Sequence, residues 1–193
     1  MNRHPVILIE GLDGVGKSTL ARGLASQLGA TLLTSPPDLG SHGILGPLRS
    51  HFDRRPVSMR RAYYRFANLL VSEVAAVANA ERPVVIDRYW PSTVAFGVGM
   101  DGATDLQAWV GLYPPEVLRP DVMVLLEVDE HTRNRRVTKR AEGTTGEEDD
   151  LANAVSKRAA VSRVYRAFEP LVVDTSSLDE VGVLQRVRAE LGL

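Results

Sequence analysis

The stretch Val6-Ile7-Leu8-Ile9-Glu10-Gly11-Leu12-Asp13-Gly14-Val15-Gly16-Lys17-Ser18-Thr19 decides the fold. Four consecutive aliphatics bounded by a glycine-rich segment predict a short strand buried on both faces, as in a parallel sheet covered by helices on either side. The strand runs into G-x-x-x-x-G-K-S, the phosphate-binding-loop pattern. Gly11, Gly14 and Gly16 let the backbone curl so that successive N–H groups point at phosphate oxygens. A helix beginning near Lys17, with Leu20, Leu24 and Leu28 on one face, adds free N-terminal amides and the positive end of its dipole. Lys17 supplies a mobile cation for the β- and γ-phosphates of ATP, and Ser18 offers a hydroxyl to Mg²⁺. Gly11 to Thr19 is thus the candidate ATP-binding segment.

Outward from the loop, strands are predicted at 31–33, 84–86, 121–128 and 171–174, each followed by helical pattern. That alternation predicts an α/β three-layer sandwich of the P-loop NTPase type, a five-stranded parallel sheet with helices on both faces. No repeat or linker interrupts residues 1–193, which read as one domain. A short helix at 45–52 carries Arg49. A long one, 58–80, is N-capped by Ser58 in this reading, and Met59, Ala62, Tyr63, Phe66, Leu70, Val74 and Val77 mark its apolar face. It also carries Arg60, Arg61 and Arg65.

The third strand ends in Asp87-Arg88-Tyr89. A carboxylate there, beside a phosphate loop, is placed to hold Mg²⁺ or its water. Arg88 reaches the same cleft and suits a phosphate, which its planar fork can grip in two places. The Gly- and Pro-rich stretch 97–120 holds short helical pieces such as 105–110. A helix at 130–140 sets Arg133, Arg136 and Arg140 on one face, and the polar segment after it, 141–150, reads either as mobile or as an acidic helix start.

Composition narrows the partners. The formal charge of −1 argues against bulk attraction to nucleic acid or to an anionic membrane, and the absence of cysteine excludes disulfides and thiolate zinc sites. No apolar run approaches the roughly 18 residues that span a bilayer, and the first strand follows the N-terminus directly, so a cytoplasmic location is expected.

Together Glu10–Thr19, Asp87-Arg88-Tyr89 followed by Ser92, Arg119-Pro120-Asp121 and Val173-Asp174-Thr175-Ser176 resemble the thymidylate-kinase-like nucleoside monophosphate kinases over nearly the whole chain. Leu33-Thr34-Ser35-Pro36-Pro37 and Arg60-Arg61-Ala62-Tyr63-Tyr64 are most similar to the mitochondrial-type UMP/CMP kinase branch. The resemblance implies transfer of a phosphoryl group from ATP to a pyrimidine nucleoside monophosphate, a mobile lid at about 136–150, and a homodimer as a possible assembly. It also implies that Lys17, Asp13, Arg136 and Arg140 are catalytic, with Arg136 and Arg140 closing onto the phosphates, and that Arg133 and Thr175 lie on the ATP side. Asp13, Arg88, Tyr89, Arg49, Arg60, Arg61, Tyr63 and Ser92 are the acceptor-side candidates, and Ser18 and Asp87 the metal ligands. Two departures from the family pattern stand out. Gly14 occupies the position where some thymidylate kinases carry an arginine, and Arg65 and Leu69 occupy the positions that read thymine, so CMP, UMP, dCMP and dUMP are expected to be preferred to dTMP. Three rivals stay open: thymidylate kinase activity on dTMP, a kinase of nucleosides or small alcohols, and a non-catalytic ATP-binding protein. A GTP switch lacks its Asn-Lys-x-Asp motif.

Overall fold

The computed structural model describes residues 3–37, 45–139 and 155–193. The expected Arg140 and all but the start of the expected lid at 136–150 lie outside that set, as does most of the loop at 35–43. Strands β1 (Val6–Gly11), β2 (Thr31–Thr34), β3 (Val84–Asp87), β4 (Val122–Glu127) and β5 (Leu171–Asp174) form one sheet of order β2-β3-β1-β4-β5. Every pair is parallel. Helices α1 (Lys17–Leu28), α2 (Leu45–Phe52), α3 (Val57–Ala78), α4 (Trp90–Gly99), α5 (Glu130–Lys139), α6 (Val155–Arg166) and α7 (Glu180–Leu191) connect or flank the strands. The segment expected to hold short helical pieces forms a 3₁₀ turn, Thr104–Trp109.

The two-residue period of the strands divides the core. Val6 and Leu8 face a cluster with Val71 and Ala75 of α3, Trp90 and Val94 of α4, and Val161 and Tyr165 of α6. Ile7 and Ile9 face the other layer, with Leu20 and Leu24 of α1 and Val183 and Val187 of α7. Each such aliphatic contributes roughly 1.5–3 kcal/mol on burial, and the two-sided core explains why β1 reads as an unbroken apolar run. Among the described residues, no helix is long and apolar enough to cross a membrane.

Two expectations about α3 need correction. Pro56 occupies its N-cap without a side-chain hydrogen bond, so Ser58 lies inside the first turn and is not the cap. The buried side of α3 is Tyr63, Ala67, Asn68, Val71, Ser72 and Ala75, whereas Met59, Phe66, Val74 and Val77 are exposed. The helix is apolar on two sides, and periodicity alone does not say which one meets the sheet. The slimmer side does, with Ala67 and Ala75 fully buried there.

Candidate active site

The loop after β1 turns through left-handed backbone at Gly14 (φ 87°) and Gly16 (φ 102°). Gly14 is required for space as well. A Cβ there would sit 2.8 Å from Val137 and 3.3 Å from the Arg133 carbonyl oxygen, because α5 lies directly over it. A side chain at position 14 would thus crowd Val137 and stand in left-handed backbone. Lys17, almost fully buried, donates from Nζ to the Leu12 carbonyl at 2.7 Å and pairs with Asp13 at 3.5 Å. Burial and the nearby Arg88 guanidinium pull the Lys17 ammonium down to about 8, against the neighbouring carboxylates.

A cleft of about 540 Å³ opens beside this loop. Its floor includes Asp13, Gly14, Gly16, Lys17 and Ser18, with Asp87 and Arg88 arriving from the end of β3. The parallel pairing of Ile9 with Asp87 sets these two residues level with the start of the loop. Asp87 is buried, and its Oδ1 is without a hydrogen-bond partner among the described residues. Asp87 and Ser18 both line the cleft, and a carboxylate with an oxygen left unpartnered, beside a hydroxyl, fits a hard, oxygen-seeking cation such as Mg²⁺, with the remaining ligands left to phosphate and water.

Arg88 is held in left-handed backbone (φ 66°), an uncommon state for a residue with a side chain. Its guanidinium pairs with Asp13, reaches Ser92 Oγ at 3.4 Å, and lies 5.6 Å from the Phe96 ring centroid. Burial opposes the Asp13 charge, but Arg88 and Lys17 outweigh it and hold that carboxyl at about 2. Burial likewise opposes the Arg88 charge, yet Asp13 and the other nearby acids raise its affinity for the proton.

The far wall carries Arg49, Arg60, Arg61, Tyr63 and Tyr64. Tyr63 stacks on Phe52 with centroids 5.2 Å apart. Arg60 reaches Asp101 at 3.4 Å, and Arg61 and Arg65 meet Asp105 at 3.6 and 2.8 Å. Arg65 and Leu69 are not among the cleft-lining residues. The side that α3 turns to the cleft is one helical turn earlier, at residues 60–64. Tyr89 adjoins the cleft, but the residue is 1% exposed and packs within the core cluster, so it offers a substrate little beyond its backbone.

The ATP-side candidates fall on the loop's opposite flank. Thr175 is fully buried, its hydroxyl 3.2 Å from the Val15 carbonyl oxygen and 3.1 Å from that of Glu127. Arg136 donates to Thr175 Oγ1 at 3.1 Å, to the Thr175 carbonyl at 3.0 Å, and to the Leu178 and Val15 carbonyls at 3.5 Å. Arg136 is not among the cleft-lining residues, and its guanidinium lies against these carbonyls. Arg133, on α5, is buried, donating to Glu130 and Asn134 at 3.4 and 3.1 Å. Gly11, at the end of β1, Leu12 and Val15 in the loop, and Thr19 in α1 are not among the cleft-lining residues.

Sequence reading passed over Glu10, the one acid within β1 and fully buried. It also passed over Tyr165, Tyr64, Phe96 and Asp101. The signal for Glu10 was visible: a charge inside an otherwise aliphatic strand must be satisfied from neighbouring elements.

The sequence pattern described as thymidylate kinase matches residues 9–181. Human mitochondrial UMP-CMP kinase 2 is 36% identical over 194 residues, spanning 96% of this chain. The chain covers 42% of that protein's length. A thymidylate kinase of Xanthomonas euvesicatoria pv. vesicatoria is 32% identical over 205 residues, spanning 95% of this chain and 81% of its own. Among solved structures, Candida albicans thymidylate kinase superposes with a TM-score of 0.76 at 18% identity, covering 98% of this chain and 92% of that one. Deoxyadenosine kinase from M. mycoides gives 0.66 at 17% identity, covering 97% and 100%. At such identities these two likenesses speak to the fold alone.

Proposed function

The chain belongs to the thymidylate kinase family, and on that premise we propose that it transfers a phosphoryl group from ATP, with Mg²⁺, to a pyrimidine nucleoside monophosphate. The observation that carries this reading is Arg88. It stands between the phosphate loop and the far wall of the cleft, its charge held by Asp13 and Ser92. A monophosphate entering from the far wall brings the anion that such a guanidinium binds in a forked geometry.

In this reading the loop amides and Lys17 hold the donor phosphates, and Ser18 and Asp87 hold the metal. When bound, Mg²⁺ neutralises charge on the donor's β- and γ-oxygens. Arg49, Arg60, Arg61 and Tyr63 line the acceptor's side. Arg136, with Thr175 and Val15, shapes the donor's outer side, and the charge that Gly14 cannot supply falls to Lys17 and to Arg140. Positioning and charge neutralisation dominate phosphoryl transfer, so no strong base is needed.

With Asp87 given to the metal in this reading, the shortage of another base is also what disfavours an alcohol acceptor. Asp13, at about 2, is a weak base, and both Glu10 oxygens are committed to hydrogen bonds. Preference for CMP, UMP, dCMP or dUMP over dTMP rests on likeness to the human relative; the positions of Arg65 and Leu69 add nothing to it. A kcat/KM panel of these five monophosphates and AMP with ATP–Mg²⁺ tests the assignment. The expected ranking places dTMP at least about tenfold below the best acceptor, the worth of about 1.4 kcal/mol in the transition state.

The exposed stripe on α3 supports a homodimer, since Phe66 is 52% and Val77 72% exposed on one helix. Light scattering of wild type and Phe66→Glu checks it: a dimer that becomes a monomer is the expected outcome, and a wild-type monomer contradicts it.

A further inference from the structure

Beneath Arg88 lies a hydrogen-bonded group that the reaction as described does not use. Glu10 Oε1 accepts from the Tyr89 N–H at 2.9 Å and from the Ser92 N–H at 3.2 Å, and Oε2 lies 2.7 Å from Ser92 Oγ. Ser92 Oγ is also 2.8 Å from the Tyr165 hydroxyl. Glu10 and Tyr165 are both fully buried. Tyr165 is brought there by a close crossing of α4 and α6, which packs so tightly that a Cβ on Gly99 would lie 2.7 Å from the Val161 nitrogen.

The chemistry of the three groups fixes their direction. With Glu10 ionised, its carboxylate can only accept, so the single hydroxyl proton of Ser92 goes to it. The Tyr165 hydroxyl must then donate to Ser92. With its proton spent on Glu10, Ser92 Oγ presents lone pairs to its other neighbours, and Arg88 Nη1 is one of them. Glu10 also holds two backbone N–H groups at the start of α4, directly after Arg88 and its left-handed turn. One buried carboxylate thus governs both the backbone that aims Arg88 and the hydroxyl that receives its guanidinium.

We propose that Glu10, acting through Ser92 and backed by Tyr165, is a positioning residue that holds the Arg88 guanidinium where it grips the acceptor's phosphate. The proposal rests on the reading of Arg88 as the acceptor-phosphate group. Glu10 would not touch substrate. Its main effect belongs on the acceptor side: its hydrogen bonds lead to Ser92 and the start of α4, whereas it meets Lys17 only through charge.

Glu10→Gln keeps the volume and the Tyr89 contact but puts an N–H₂ where Ser92 needs an acceptor. The acceptor KM should rise on the order of tenfold, the cost of about one hydrogen bond, with the ATP KM little changed and no fall in melting temperature at the assay pH. Tyr165→Phe, which removes one hydroxyl, should move the same constant in the same direction by less. The Arg88 Nε–H NMR resonance, read without any turnover, should broaden in both variants. An unchanged acceptor KM with an unchanged Arg88 resonance overturns the proposal. So does a joint rise of both KM values with a fall in melting temperature, which would make Glu10 a fold residue only. If wild type phosphorylates no monophosphate, the reading of function fails, and the Arg88 resonance still decides the role of Glu10.

Discussion

Two arginines flank the phosphate loop, and they are held by opposite kinds of partner. Arg88, on the cleft side, pairs with the Asp13 carboxylate and a serine hydroxyl. Arg136, on the outer side, donates to the carbonyls of Thr175, Leu178 and Val15 and to one threonine hydroxyl. A carboxylate partner keeps a guanidinium charged and aimed, and an incoming phosphate can share it by the same forked geometry. Neutral carbonyls instead turn a guanidinium into a tie between loops, here joining the loop after β5 to the phosphate loop. The same residue type is thus held by a carboxylate on one flank and by carbonyls on the other, and the proposed function gives only the first a phosphate to bind.

Lys17 pairs with Asp13, the same carboxylate that pairs with Arg88, and its loss should be the largest effect. Lys17→Ala should lower kcat on the order of 10³-fold or more, the scale of removing charge from a phosphoryl transition state, with the melting transition preserved. Near-wild-type turnover in a folded variant would break the assignment of the loop.

Next come the two arginines themselves. Arg88→Ala should lower kcat/KM for the acceptor by about 2–5 kcal/mol, the cost of truncating one partner of a buried charge pair, while the ATP KM holds. Arg136→Ala should act mainly on the ATP KM and on stability, because it unties the loop at Thr175. If Arg136→Ala instead lowers kcat about 10³-fold with a normal ATP KM, the outer arginine acts on the transferring group and the contrast collapses. Arg140→Ala, by contrast, is expected to show that kcat loss.

How far the chain could be read in advance follows from the same physics. The β1 stretch and its loop were legible because strand burial, glycine conformation and phosphate chemistry all constrain one short segment. Asp87-Arg88 was legible because strand ends converge on that loop. The contacts of Arg136 were not, since helical spacing puts it on a face with Arg133 but says nothing of the carbonyls at Thr175 and Leu178. The buried face of α3 was missed for a related reason: Phe66 and Val77 fit the helical period as well as Val71 and Ala75 do. Glu10 and Tyr165 are far apart in sequence, and only the close α4–α6 crossing brings their shared serine between them.

A smaller, pH-dependent effect sharpens the contrast between the carboxylates beside Arg88. Burial pushes Glu10 from 4.5 up to about 7, against Ser92, Arg88, Tyr89 and Lys17, while Asp13 is held at about 2. A carboxyl whose folded value is raised binds its proton more tightly when folded, so Glu10 ionisation costs stability as pH rises from about 4.5 through about 7. Asp13 has the opposite sign: its contribution is present above its ordinary 3.8 and is lost as pH falls through about 2. Melting temperatures of wild type and Glu10→Gln between pH 5 and 8 check the first. The wild-type curve should fall relative to the variant across that range, and parallel curves would contradict it.

The most direct measurement of Arg88 as the acceptor-phosphate group compares a monophosphate with its own nucleoside. With ATP–Mg²⁺, CMP and cytidine differ only in the phosphate that the Arg88 guanidinium is placed to grip. Phosphorylation of CMP with no measurable phosphorylation of cytidine is the expected result, and Arg88→Ala should abolish most of that difference. Cytidine phosphorylated with a kcat/KM equal to or above that of CMP would contradict it, and would make the Asp13–Arg88 pair part of an alcohol kinase instead.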